Sequence, residues 1–470
     1  MNQPNAAQPK NADLMIVDTM LVTMDAERRV IADGAIAVSG DRIVAVGKSD
    51  DLRRDYQARE TIDGRRFVIT PGLVNTHVHS TGEPLTRGLV LDDSGFEENV
   101  FQWLVPIHMT YTEADERLSS RFAALEMLKS GTTTFLEAGT IRFLDAVVDG
   151  LTEAGIRARV GQWAWDLSPE DQSYPAAATD GAIKLLEDEL ARYPAGDGQR
   201  IAAWPILIGH MTCGGALWQA AKTLADSHGV GVAAHMSPVQ ADPDWYLARH
   251  GRRPIEYLAD LGALGSNVIF THAVHLDASE VDLLAAAAGN VSHCATSALK
   301  GAYGATAVGR FPEMQAAGVN ITLGTDGNNN SNYQDMMRAT YLLAGLFKDA
   351  RRDPTLFPAE QAYACATVNG AKALGMADQI GSLEPGKKAD FVAHDTWRPE
   401  WRPLFNVANQ LVWSADGRGV HSVWVDGRRV VDDYRSTTID EDRIYHEVQA
   451  AGEAIVARSG LPVKSRWPLC

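Results

Sequence analysis

The chain changes its hydrophobic rhythm twice. Near its start, "LMIVDTMLVTM" and "GAIAVSGDRIVAVG" alternate apolar and polar positions, with Ser39-Gly40-Asp41 as a break inside the second run. Period-two alternation predicts half-buried strands, and such a break predicts a hairpin turn. The same texture returns late in the chain in "GSLEPGKKADFVAHD" and "HSVWVDGRRVVDD", the latter turning at Asp426-Gly427. From about Pro71 to Gly375 the pattern is different. Short apolar runs ("TTTFLEAG", "RARVGQWAW", "AAWPILIGH", "GVAAHMS", "NVIFTHAVH", "NVSHCATS", "NITLGTDG") alternate with helical-period segments such as "EADERLSSRFAALEMLKS" and "ASEVDLLAAAAG". Strands alternating with helices pair in parallel. With the run before His77 there are eight of them, the number that closes a (β/α)8 barrel.

The expected fold is therefore α/β: a (β/α)8 TIM-type barrel, with both chain ends adding β structure. Residues 1–70 and 376–435 are assigned to that β structure and 71–375 to the barrel. Residues 436–470 are read as one helix, "EDRIYHEVQAAGEAIVARS", and a polar tail. A chain of 470 residues suits a barrel of about 250 residues with additions.

Composition narrows the function. The 45% hydrophobic and 22% charged content is that of a globular protein with a sizeable core. A net charge of -17, without a basic stripe interleaved with aromatics, argues against nucleic acid and anionic membranes as partners. No apolar run is long enough to span a bilayer, and "MNQPNAAQPKNADL" is not organised as a signal peptide. Cys213, Cys294, Cys365 and Cys470 are scattered, which fits a reducing cytoplasm. The expectation is a cytoplasmic homo-oligomer acting on a small molecule.

The candidate chemistry lies at the strand ends. His77 and His79 close the first run, in "PGLVNTHVHS", where residues two apart share a face. Alone, that pair could hold a metal or be two polar residues of a turn. But His210, His235, His272 and His293 close later runs, and Asp326 closes the eighth. In a barrel enzyme, chemistry sits where strand C-termini meet their loops. Three nitrogen ligands (His77, His79, His235) with one carboxylate (Asp326) and an open position make a catalytic metal site. Asp326 is also placed to accept a proton from water. His272 is the second catalytic candidate, as a further ligand or a hydrogen-bond donor.

These motifs, with "GTTTFLEAG", "VIFTHAVHLD", "LGTDG" and the flanking "GSLEPGKKADFV" and "VWVDGRRV", resemble the amidohydrolase superfamily, in its branch of triazine hydrolases and aminohydrolases. The resemblance runs from about residue 13 to 435. It implies a barrel with a composite β-sandwich made by both chain ends. It also implies one divalent metal, zinc first and iron, manganese or cobalt as alternatives, held by His77, His79, His235 and Asp326. A second metal in this superfamily is usually bridged by a lysine on the fourth strand, and "AAWPILIGH" has none.

One departure bears on the reaction. Deaminases of this branch carry a glutamate three residues after the histidine corresponding to His235, and here that position is Pro238. The first expectation is thus hydrolysis of an amide, urea or carbamate-like C–N bond in a small aromatic or hydrophobic molecule. The alternative is an aminohydrolase or dehalogenating hydrolase acting on a nitrogen heterocycle, with Glu137 as a conceivable stand-in acid. A catalytically inactive scaffold is the reading from another class. Substrate contacts are expected from His210, Trp103, His108, Trp165 and His293.

Overall fold

The computed structural model describes residues 9–168 and 176–468; the first eight residues of the polar tail and Cys470 lie outside them. Strand Phe67–Pro71 pairs antiparallel with Phe391–Asp395, Pro71 opposite Phe391 and Phe67 opposite Asp395. Around that seam both chain ends build one nine-stranded sheet. Lys10–Val22, Val30–Ser39 and Arg42–Lys48 extend it on one side, and Val420–Val425 and Arg428–Asp432 on the other. Alternate residues of these strands, among them Ile16, Leu21, Ile36, Val38, Ile69, Phe391 and Trp424, form its buried face.

The middle of the chain forms two parallel sheets. Ile201–Ala203, Arg157–Val160, Thr132–Glu137 and Leu73–Val78 make one. Asn320–Leu323, Asn290–His293, Val268–His272, Val232–Met236, Ile206–Gly209 and Trp163–Ala164 make the other. Two of the expected strands are therefore broken, each contributing a piece to both sheets. The breaks have local causes. Pro205 has no N–H for a ladder, and a Cβ on Gly161 would lie 2.4 Å from the Trp204 carbonyl oxygen. The sheets meet again beside the first strand, where the Thr76 hydroxyl donates to the Leu323 carbonyl at 2.9 Å and the Asp326 N–H to the His77 carbonyl at 3.0 Å. That junction carries His77 and Asp326 into the same place.

Helices cover the parallel strands as the periodicity anticipates. Glu113–Lys129 begins in a capping box, Thr112 and Asp115 each satisfying the other's backbone N–H. The C-terminal helix is Glu441–Ser459. No helix among the described residues is long and apolar enough to cross a membrane.

Arg157 joins the parallel strands to the terminal sheet. Its buried guanidinium pairs with Asp390 at 3.0 Å and with Asp426. Arg157→Ala would leave the buried Asp390 carboxylate and the partly buried Asp426 facing each other without the guanidinium between them. The expected loss of stability is about 3–5 kcal/mol, measured by denaturant unfolding, against little change for Arg54→Ala on the exposed surface.

Candidate metal centre and active site

Every strand end that carries a candidate ligand delivers it to one point. The rings of His77 and His235 lie 4.8 Å apart, those of His77 and His79 5.1 Å, and those of His79 and His235 5.7 Å. Asp326 Oδ1 is 3.3 Å from His79 Nε2 and 3.7 Å from His77 Nε2, while Oδ2 is 3.9 Å from His272 Nε2. All five side chains are buried. Ligand atoms of His77, His79 and His235 fall within 4.8 Å of one another, as do those of His77, His272 and Asp326.

The outer nitrogens are fixed by the protein. His235 Nδ1 donates to the Ile208 carbonyl at 2.8 Å, so its Nε2 carries the lone pair. His77 Nδ1 meets the Thr271 hydroxyl at 2.9 Å and His79 Nδ1 the Thr140 hydroxyl at 3.2 Å. Such partners orient imidazoles toward a cation. The inward atoms His77 Nε2 and Asp326 Oδ2 are buried with no hydrogen-bond partner, a cost that a bound cation removes. Burial holds the His235 pKa well below its ordinary value. Burial would raise that of Asp326, but the His77, His79 and His272 imidazoles beside it keep it well below the carboxylate range. Burial would lower the His79 pKa, but the Asp326 carboxylate beside it raises it to about 9, so a cation, which needs neutral imidazole and ionised carboxylate, displaces that proton on binding. His272 (φ 73°) and Asp326 (φ 63°) adopt left-handed backbone, a cost that concentrates at functional positions.

His79, His235, His272 and Asp326 form the floor of a cavity of about 840 Å³. Its walls are largely apolar, with Phe96, Val100, Leu104, Trp163, Trp165 and Leu185 among them. His108, Trp165 and His210 line it, as the sequence led us to expect. Trp103 and His293 do not. Trp103 turns away from the cavity and packs with Leu85, Ile107 and Ile455. On strand Asn290–His293, Ser292 turns toward the Thr76 hydroxyl at 2.8 Å. The next side chain must face the other way, and the His293 ring lies tilted against Phe311, ring centroids 4.0 Å apart. Burial among these rings pushes its pKa down to about 3.

Glu137 is equally occupied elsewhere. Its carboxylate accepts hydrogen bonds from Ser80 and Thr140, and it stitches two loops together outside the cavity lining. Cys294 is a buried free thiol whose pKa burial raises well above the ordinary value, the opposite of a nucleophile's environment.

Two acids on the cavity went unrecognised in the sequence. Glu83 accepts from the Asn329 N–H at 2.6 Å, and burial raises its pKa to about 7. Asp242 is buried at the cavity edge and receives both the Ser237 N–H (2.8 Å) and His210 Nδ1 (2.7 Å). Glu83 stands in a loop and Asp242 in the first turn of the helix Ala241–His250. The only cue for either was its nearness to a ligand histidine, four residues after His79 and seven after His235.

A model of the amidohydrolase family matches residues 68–430. The chain belongs to the amidohydrolase family. A bacterial imidazolonepropionase-like composite-domain model also matches residues 34–56. A 5-methylthioadenosine/S-adenosylhomocysteine deaminase of Syntrophobacter fumaroxidans is 33% identical, the match covering 94% of this chain and 98% of that protein. A 5'-deoxyadenosine deaminase of Methanosarcina acetivorans is 32% identical over 95% of this chain and 99% of its own. Among solved structures, a zinc-bound adenosine deaminase from Xanthomonas campestris superposes with a TM-score of 0.87 at 29% identity, covering 96% of this chain and all of that one. An atrazine chlorohydrolase from Arthrobacter aurescens shares the fold, with a TM-score of 0.85 at 22% identity over 93% of this chain and all of that one. The protein is thus a metal-dependent hydrolase of C–N bonds other than peptide bonds, using one divalent cation, zinc in the solved deaminase relative. The relatives also reverse the order of the two reactions weighed on Pro238: deamination of a nitrogen heterocycle now stands ahead of amide or urea hydrolysis.

Proposed function

We propose that this chain is a zinc-dependent aminohydrolase that replaces the exocyclic amino group of a purine-like heterocycle with oxygen and releases ammonia. The observation that carries this reading is a floor of converging histidines and Asp326 in a chain aligned end to end with adenosine-type deaminases. We read the two parallel sheets as the halves of the (β/α)8 barrel, with His77, His79, His235 and Asp326 as the ligand set. Zinc held there supplies a Lewis acid and a nucleophile at neutral pH.

The rest is done by side chains. Asp326 accepts a proton from the attacking water, since Oδ2 has no other partner. His272, whose ring meets Tyr303 edge-on at 5.6 Å, hydrogen-bonds the oxygen as it adds to the ring carbon. Trp163 and Tyr303 offer aromatic faces to a planar heterocycle at the floor. The apolar wall above receives the heterocycle's substituent.

A substrate panel tests the reading. Adenosine, 5'-deoxyadenosine and 5'-methylthioadenosine should exceed simple amides, ureas and carbamates in kcat/KM by at least about tenfold, or about 1.4 kcal/mol. Ammonia release scores the first group and substituted-amine release the second. A faster amide or urea would return the carbonyl-centred reaction to first place.

A further inference from the structure

A deaminase needs an acid to protonate the departing amine, and this chain has Pro238 where the family's glutamate stands. The strand end nevertheless meets a carboxylate. Seven residues after His235, the chain returns Asp242 to the same strand exit, where Oδ2 takes the Ser237 N–H at 2.8 Å. The same oxygen takes His210 Nδ1–H at 2.7 Å. Asp242 is 1% exposed, and both residues line the cavity.

His210 is held with unusual care for a loop residue. Gly209 has φ +79°, and a Cβ there would lie 2.0 Å from the His235 carbonyl oxygen, so only glycine allows this turn. The Tyr246 hydroxyl donates to the His210 carbonyl at 2.8 Å. With Nδ1 committed to Asp242, Nε2 has no hydrogen-bond partner among the described residues and belongs to a ring that lines the cavity. The other acids are less free to act. Glu137 is outside the lining, Glu83 is tied to the Asn329 loop, and Asp326 is committed to the attacking water.

We propose that His210, oriented and charge-compensated by Asp242, donates the proton to the departing amine. His210 is then the catalytic residue, and Asp242 positions it. The inference rests on the deaminase reading above. In the step, the C–N bond of the tetrahedral intermediate breaks with its electron pair going to nitrogen. The proton on His210 Nε2 moves to that nitrogen, giving ammonia, and the carbon–oxygen bond becomes a carbonyl. The proton that Asp326 took from water goes to the ring nitrogen that gained an electron pair on addition, and the hydroxyl proton released as the carbonyl forms returns to His210 through cavity water. The sum is amine plus water to carbonyl plus ammonia.

The test compares leaving groups on zinc-loaded protein, using adenosine and 6-chloropurine riboside. Chloride departs without a proton, so a donor matters only for the amine. Asp242→Asn should lower kcat for ammonia release by at least about 100-fold, while chloride release falls less than tenfold and zinc content stays near one per chain. His210→Gln should show the same selectivity. Asp242→Glu should recover at least tenfold over Asp242→Asn in ammonia release, a readout that needs no chloride substrate. Equal losses for both leaving groups without recovery in Asp242→Glu would make Asp242 merely structural and overturn the pair. Unchanged ammonia release in both variants would overturn it too, leaving the deaminase reading intact. Wild-type protein that releases no ammonia from any aminated purine would end that reading and the pair with it.

Discussion

His235→Ala is expected to cost the protein both its zinc and its turnover. Loss of an outer partner of a metal ligand typically costs about 10–100-fold in affinity or activity, so loss of the ligand should cost more. The neighbours cannot make good the deficit, because His77 and His79 project from the facing strand end and their Nδ1 atoms are tied to Thr271 and Thr140. Stability supplies an independent readout. Zinc at about 1,000 times its Kd stabilises a site that exists only in the folded state by about 4 kcal/mol. Wild type should therefore melt higher with zinc than after chelation, and the variant should melt alike in both. His77→Ala should behave in the same way. Full zinc occupancy in either variant would dissolve the ligand set proposed here.

Asp326→Asn should separate binding from chemistry. Three imidazoles remain, so part of the zinc should stay, measured by metal analysis. What disappears is the proton acceptor: the amide cannot take a proton from water, and turnover should fall by about 10²–10⁴-fold. The loss should appear in kcat, since the aromatic and apolar walls that bind the substituent are untouched. Near-normal kcat with zinc bound would move the base to Glu83, the other carboxylate beside Asp326 on the floor.

The proposed ligand set was legible because it obeys position. His77, His79, His235, His272 and Asp326 each end an apolar run, and parallel strands bring such ends together whatever the loops do. The same rule misplaced His293, because the end of a strand fixes height and not direction. Ser292 took the inward face, and His293 was left for Phe311. Trp103 fell to helical phase, next to Leu104 in the chain but turned from the cavity toward Ile107 and Ile455. The two interrupted strands went unseen because Gly161 and Pro205 sit inside runs that are otherwise apolar. Asp242 was hidden for a further reason. Its meaning depends on a loop folding back by a path that no periodicity encodes, and the missing glutamate at Pro238 was visible when its neighbour was not.

The pairing of Pro71 with Phe391 sets a schedule for synthesis. A ribosome adds about 5–20 residues per second, so the strand leading into His77 waits on the order of 16–64 s for its partner to be made. During that interval Val68 and Ile69 have Met20 and Leu21 on one side only, and the other edge is open to any strand nearby. The catalytic floor is therefore among the last parts of the molecule to be secured. Its first two histidines are translated early, but the strand that leads into them gains its second neighbour only when the far end of the chain arrives.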